Sequence, residues 1–276
     1  MSSNPDIWNV MARLREGGVP FALVSVVRTV SVTAAKAGAH AIILEDGAIH
    51  WGWIGGGCAR GATIKAAREC IADGQSRLIS VQPGDRLAGI GVKAGDTREG
   101  VRYARNMCPS EGTMDLFIEP ILPPPELVVM GASPVALVLV ELAGRFGFDV
   151  TAAAPESAHP LLDAAARRIV GFELPKTRRQ RFIVVSTQGA GDEAALTAAL
   201  AHPFAQVLFV GSRRKAAALA SELREQGIEP ARLDAVKAPA GLDIGAVTPD
   251  EIALSILAEL VQIRARPARS AVGLVA

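Results

Sequence analysis

Leu127-Val128-Val129-Met130-Gly131-Ala132-Ser133-Pro134-Val135-Ala136 passes from four apolar residues through a glycine turn into a helix start. This stretch sets the fold class of the second half of the chain. An apolar run this short, closed by glycine, suits a strand buried on both faces, as in a parallel sheet. The pattern continues with a helix over 134–146, strands over 149–153 and 182–186, a helix over 192–201, a strand over 206–210 and a helix over 213–226. Such alternation predicts a Rossmann-like doubly wound parallel-sheet domain. Thr248-Pro249-Asp250-Glu251 then opens a last helix with an N-cap, a proline at its first position and a capping-box glutamate.

Working back toward the start, Pro123-Pro124-Pro125 is a stiff linker. It separates domains predicted over 1–122 and 126–276. The first reads as mixed α/β. Pro5–Arg15 spaces Ile7, Val10, Met11 and Leu14 as an amphipathic helix, and Phe21–Val27, Ala41–Leu44, Ala48–Ile54, Arg77–Val81 and Asp115–Ile121 read as strands. Glu45-Asp46-Gly47 is a hairpin turn between two of them. Gly55-Gly56-Gly57 breaks the third strand, and Cys58–Ile71 continues as a helix.

The composition narrows the function classes. With 29 Lys plus Arg against 28 Asp plus Glu, the net charge of +1 supplies no global field toward nucleic acid or an anionic membrane. No stretch approaches the roughly 20 apolar residues of a membrane span, and the Met-Ser-Ser-Asn-Pro start has no export signal, so a cytoplasmic protein is expected. Cys58, Cys70 and Cys108 are odd in number and form no C-x-x-C pattern, which suits reduced thiols.

Three constellations could carry chemistry. Gly55-Gly56-Gly57-Cys58 lies at a helix start, where free N–H groups and the dipole favour an anion such as a phosphate and would favour a Cys58 thiolate as nucleophile, sulfur carrier or soft metal ligand. A plain strand-to-helix turn would read the same way. Gly131-Ala132-Ser133-Pro134-Val135-Ala136 stands where a dinucleotide fingerprint belongs, with Ser133 replacing the second glycine; the bland reading makes Ser133 a helix cap. Gly211-Ser212-Arg213-Arg214-Lys215 puts three cations at a helix start, which calls for an anion or acidic partner, or else for solvent. The basic run Lys176–Arg181 reads as a solvated loop, and His40, His50, His159 and His202 share no ligand spacing. Trp51 and Trp53 alternate on one strand and are expected on one face, open to packing or to stacking on a pterin or flavin.

In combination these segments resemble the XdhC/CoxI family over nearly the whole chain. The resemblance is carried by Val26-Val27-Arg28-Thr29, Gly38-Ala39, Asp46-Gly47 and Gly55-Gly56-Gly57-Cys58 in the first domain. In the second it rests on Gly131-Ala132, Gly211–Lys215 and Ala238-Pro239-Ala240-Gly241-Leu242-Asp243-Ile244-Gly245, leading into Thr248–Ala253. It implies an accessory factor that binds the molybdenum cofactor, molybdopterin, during its sulfuration and insertion into an apo molybdenum hydroxylase such as xanthine or carbon monoxide dehydrogenase. A cysteine desulfurase is an implied second partner. It places cofactor binding at Gly55, Gly56, Gly57, Cys58, Arg60, Gly131, Ser133, Arg213, Arg214 and Asp243, with Cys58 as metal ligand. Arg60 stands where the family commonly has an acidic residue, which leaves open an FAD or NAD(P) site on the same scaffold. The two-domain layout is compatible with a homodimer.

Overall fold

The computed structural model describes residues 6–107, 111–177 and 179–271, excepting the side chains of Cys58 and of residues 266–271. The chain divides into two compact units, one of Met1–Pro123 grouped with Pro267–Ala276, the other of Pro124–Arg266.

The first unit runs α1 (Ile7–Glu16), β1 (Phe21–Val30), β2 (His40–Leu44), β3 (Ile49–Gly52), α2 (Gly57–Asp73), β4 (Arg77–Pro83), α3 (Gly84–Gly89), β5 (Thr97–Arg98), β6 (Val101–Asn106) and β7 (Thr113–Ile121). Its strands form one mixed sheet in the order β3-β2-β1-β7-β4-β6-β5, in which only β4 and β6 pair in parallel. The buried side of α2 carries Thr63, Ala66, Ala67 and Cys70, small residues that let it lie close on Val24, Ile79, Leu116 and Ile118. On a separate small core, Val10 of α1 packs with Phe21 and Ile42.

The second unit runs β8 (Glu126–Met130), α4 (Pro134–Leu142), β9 (Asp149–Ala154), β10 (Arg167–Val170), β11 (Arg181–Val185), α5 (Asp192–Leu200), β12 (Gln206–Phe209), α6 (Arg213–Glu225), α7 (Pro230–Asp234) and α8 (Pro249–Ala271). All strand pairs are parallel, in the order β10-β9-β8-β11-β12. This is the doubly wound order expected from the sequence, reversing between β8 and β11. After α7 the chain returns alongside β12, where Phe209 N–H donates to the Lys237 carbonyl at 2.9 Å and Ala240 N–H to that of Phe209 at 3.0 Å. Every residue of β8 and β11 is buried, with Leu127, Val129 and Phe182 facing one core and Val128, Met130 and Ile183 the other. Each fully buried side chain of this size contributes about 1.5–3 kcal/mol.

Several expectations change. The predicted 134–146 helix is α4 followed by a 3-10 turn over Ala143–Phe146, ended by left-handed Gly147. The alternation of Trp51 and Trp53 fails because β3 stops at Gly52, whose φ is +79°. Trp51 packs with the α1 core, whereas Trp53 is exposed. The basic run at 176–181 is solvated only in part, with Lys176, Thr177 and Gln180 exposed. Arg181 opens β11 buried against Glu126 at 2.7 Å, and Arg179 reaches Asp149 at 2.6 Å; Arg178 lies outside the described residues. The capping box at Thr248 forms as read: Glu251 N–H donates to Thr248 Oγ1 at 3.3 Å, and Thr248 N–H donates back to the Glu251 carboxylate at 2.9 Å.

Candidate functional site

The candidate residues fall into two groups, one in each unit. In the first, β3 ends in the loop 53–56, and Gly55 is buried with φ +100°, its Cα side facing Ala34 and Met114. Gly56 is the N-cap of α2, extended at φ −115°, with no side chain accepting from the helix. Gly57 follows at φ +55°. A Cβ built on Gly56 or Gly57 would meet nothing within 4 Å, so the N-terminus of a 17-residue helix opens on free space. No acid stands in the first turn, and the Arg60 side chain is exposed there. Orphan N–H groups, the positive end of the dipole and a nearby guanidinium together suit an anion, each worth some 0.3–1 kcal/mol at a surface. Beside the loop lies a cavity of about 50 Å³ lined by Thr33, Gly55, Gly56, Asn106 and Gly112 among others. That volume takes a water or a small anion, so a larger ligand would place only one end there.

Cys58 is the second residue of α2; its side chain lies outside the described residues, as does all of Cys108. Cys70 is a core residue, as the sequence suggests. Burial pushes its thiol up, against the opposing effect of Arg77, whose guanidinium donates to the sulfur at 3.3 Å. Among the described residues, no group of three or more His, Cys, Asp or Glu could hold a metal. Arg28, in the quoted Val26–Thr29 segment, sits just past a bulge in β1 and pairs with Asp115 on β7 at 2.5 Å; Asp115 also accepts from Ser80 at 2.5 Å.

In the second unit, Gly131, Ser133, Arg213, Arg214 and Asp243 all follow the carboxyl ends of strands or of the segment beside β12, which puts them along one edge of the sheet. Gly131 has φ +105°, and a Cβ there would lie 2.5 Å from the Ser186 carbonyl oxygen. Its glycine therefore serves the crossing of two loops. Ser133 caps α4, accepting from Ala136 N–H at 3.2 Å, and its Oγ lies 2.6 Å from that of Ser186. Arg213 and Arg214 are exposed at the start of α6 and make no ion pair with a described residue. Lys215 does find the acid its position calls for: its ammonium pairs with Asp192, which also accepts from Thr187 Oγ1 and, at 3.2 Å, from Gly189 N–H. Burial works against the Asp192 charge, but these donors outweigh it and hold the carboxyl below its ordinary range. Asp243 is exposed, while the preceding Gly241 N–H is anchored on Glu259 at 2.7 Å. Ser186, Thr187 and Asp192, in the loop after β11 and at the start of α5, join these candidates. Their only local signal is an acid in the first turn of a helix, which capping alone explains.

Residues 14–82 match the model of the XdhC and CoxI family, and residues 127–260 match that of the XdhC Rossmann domain. The chain belongs to the XdhC/CoxI family. The glycine loop and Arg60 fall within the XdhC/CoxI match, and Gly131, Ser133, Arg213, Arg214 and Asp243 fall within the XdhC Rossmann match. The chain is 29% identical over 268 residues to a protein described as uncharacterized protein YqeB of Escherichia coli (strain K12), covering 94% of this chain and 46% of that one. It is 28% identical over 165 residues to a protein of Bacillus subtilis (strain 168) described as a probable xanthine dehydrogenase subunit, covering 56% of this chain and 48% of the relative. The chain thus spans about half the length of these curated relatives. A crystal structure described as a xanthine dehydrogenase from Bacillus halodurans aligns over 95% of this chain and 97% of its own, at 19% identity and a TM-score of 0.45. Among the described residues, no helix is long and apolar enough to cross a membrane.

Proposed function

We propose that this XdhC/CoxI member is an accessory factor in the maturation of a xanthine dehydrogenase-type molybdenum hydroxylase, and that it holds the molybdenum cofactor through its glycine loop. The observation that carries the reading is the start of α2. Gly56 caps the helix without a side-chain acceptor, the space before it is open, and Arg60 is the nearby charge. These residues fit the phosphate of molybdopterin, to which the loop N–H groups would donate and which Arg60 would flank. When bound, the cofactor supplies the metal centre that the client hydroxylase needs for turnover. Cys58, one residue into the helix, is the thiol this reading assigns to the metal, the dipole favouring its thiolate form. The partners are then an apo hydroxylase and, as sulfur donor, a cysteine desulfurase.

A dinucleotide in the second unit has less support. Ser133 fills the position of the fingerprint's second glycine and is already engaged with Ala136 and Ser186. Ala154 and Pro155 stand where β9 would present a carboxylate to a ribose, and Glu156 is exposed beyond them.

The test is anaerobic incubation of the purified chain with molybdenum cofactor, FAD or NAD(P), followed by denaturation and identification of the released molecules by mass spectrometry. Retained molybdopterin is the expected result, reduced roughly tenfold in affinity in Cys58→Ala for the loss of one soft ligand. Retention of a dinucleotide without molybdopterin would overturn the reading.

A further inference from the structure

On the α5 side of the second unit, the connection from β10 to β11 must pass β9 and β8 in the sheet order, yet it consists only of residues 171–180. A crossover between parallel strands commonly needs a dozen residues or more and uses them for a helix that covers the sheet. Here no described residue of the connection is helical. Its described residues and α5 line a groove of about 1190 Å³.

The groove has an apolar floor and two ends of opposite charge. Its walls include Phe172 and Leu174 on the connection and Ala194, Thr197, Ala198 and Ala201 on and just after α5, small residues that permit close approach of another helix. Phe172 lies against Gly191, where α5 begins, so Glu173 and Glu193 mark the end at the helix start. Arg181 donates both to the Pro175 carbonyl at 2.9 Å and to His202 at 3.2 Å, so Lys176, with Arg179 sharing its charge with Asp149, marks the end where α5 stops. Arg179 Nε is buried with no hydrogen-bond partner among the described residues. Phe204, on the rim beside the basic end, is 94% exposed.

We infer that this groove is an interface between two copies of the chain, with α5 packed antiparallel on α5 of the partner in place of the absent crossover helix. An isologous contact requires one patch to complement itself. A groove that is acidic at one end and basic at the other does so when a two-fold axis crosses its middle, since each acidic end then meets the partner's basic end. The same axis carries each exposed Phe204 onto the other copy, where apolar walls can receive it.

Sedimentation velocity over a micromolar range, on the full chain, is the test. The wild type is expected to dimerise, and Thr197→Glu, which puts a charge at an exposed position in the middle of the patch, to weaken the dimer by about 100-fold. A charge exchange separates an interface from a folding defect. Glu173→Lys and Lys176→Glu, both exposed, should each weaken dimerisation by roughly tenfold through two symmetric pairs, and the double exchange should restore it. A wild-type chain that stays monomeric, or a dimer indifferent to Thr197→Glu and to both single reversals, would overturn the inference.

Discussion

Glu126→Ala is expected to lower the unfolding free energy of the second unit by about 3–5 kcal/mol, because it leaves the Arg181 guanidinium buried and unpaired. The Glu126 side chain is 7% exposed and that of Arg181 4%, and they meet at 2.7 Å. Glu126 also accepts from Thr151 at 3.1 Å and from Arg167 at 3.4 Å, so one carboxylate ties together the starts of three strands and the body of β9. Next to it, burial raises the Asp149 carboxyl, but hydrogen bonds from Arg179 and Arg167 outweigh that effect and hold it below its ordinary range. Urea unfolding of the single variant checks the size of the loss. Glu126→Leu combined with Arg181→Leu should recover most of it, since a buried pair replaced by apolar groups is often close to neutral. A single variant within 1 kcal/mol of wild type would show that water reaches Arg181.

The second large effect is expected at Gly131. Gly131→Ala combines a positive φ of +105° with a Cβ placed 2.5 Å from the Ser186 oxygen and 2.8 Å from Thr187 Cα, backbone atoms that cannot rotate away. Strain and overpacking together should cost about 3–5 kcal/mol. The displaced Ser186–Thr187 segment should also loosen its hydrogen bonds to Ser133 and Asp192. Gly171→Ala is the control, with φ +79° and nothing within 4 Å of its Cβ, and should cost about 1 kcal/mol. Paired denaturation curves separate the two terms. Equal losses in both variants would mean that φ alone matters at Gly131.

The strands that stand out most plainly in the sequence are two that the fold buries on both faces. Leu127–Met130 and Phe182–Val185 announce themselves because every residue is apolar. Strands at or beside a sheet edge, β5, β6 and β10, stayed hidden, because Thr97-Arg98, Arg102, Arg105 and Arg167-Arg168 carry the charges expected of a loop. Arg181 was misread for the converse reason: a cation in a polar run looks solvated until its partner, Glu126, arrives from 55 residues away. The candidate site divides along the same line. Glycine loops and caps are local, so Gly55–Gly57 and Ser133 could be singled out from the chain alone. The pairing of Lys215 with Asp192 and of Ser133 with Ser186 depends on which strands become neighbours, which no spacing in the sequence encodes. Trp53 failed for a local cause, since the left-handed Gly52 ends the alternation on which its direction was predicted.

Gly56→Asp probes whether the open start of α2 holds the phosphate of the molybdenum cofactor. Gly56 has φ −115°, which any residue adopts, and a Cβ there meets nothing within 4 Å, so the substitution fits. Asp is a favoured N-cap, and α2 should become more stable by a few tenths of a kcal/mol. Its carboxylate would occupy the N–H groups that the phosphate needs and repel the anion as well. The measurement is the molybdopterin retained by wild type and Gly56→Asp under the same anaerobic conditions, alongside their unfolding curves. Unfolding at least as late as wild type, with affinity for the cofactor reduced tenfold or more, is the expected result. Unchanged retention by a normally folded Gly56→Asp protein would contradict it.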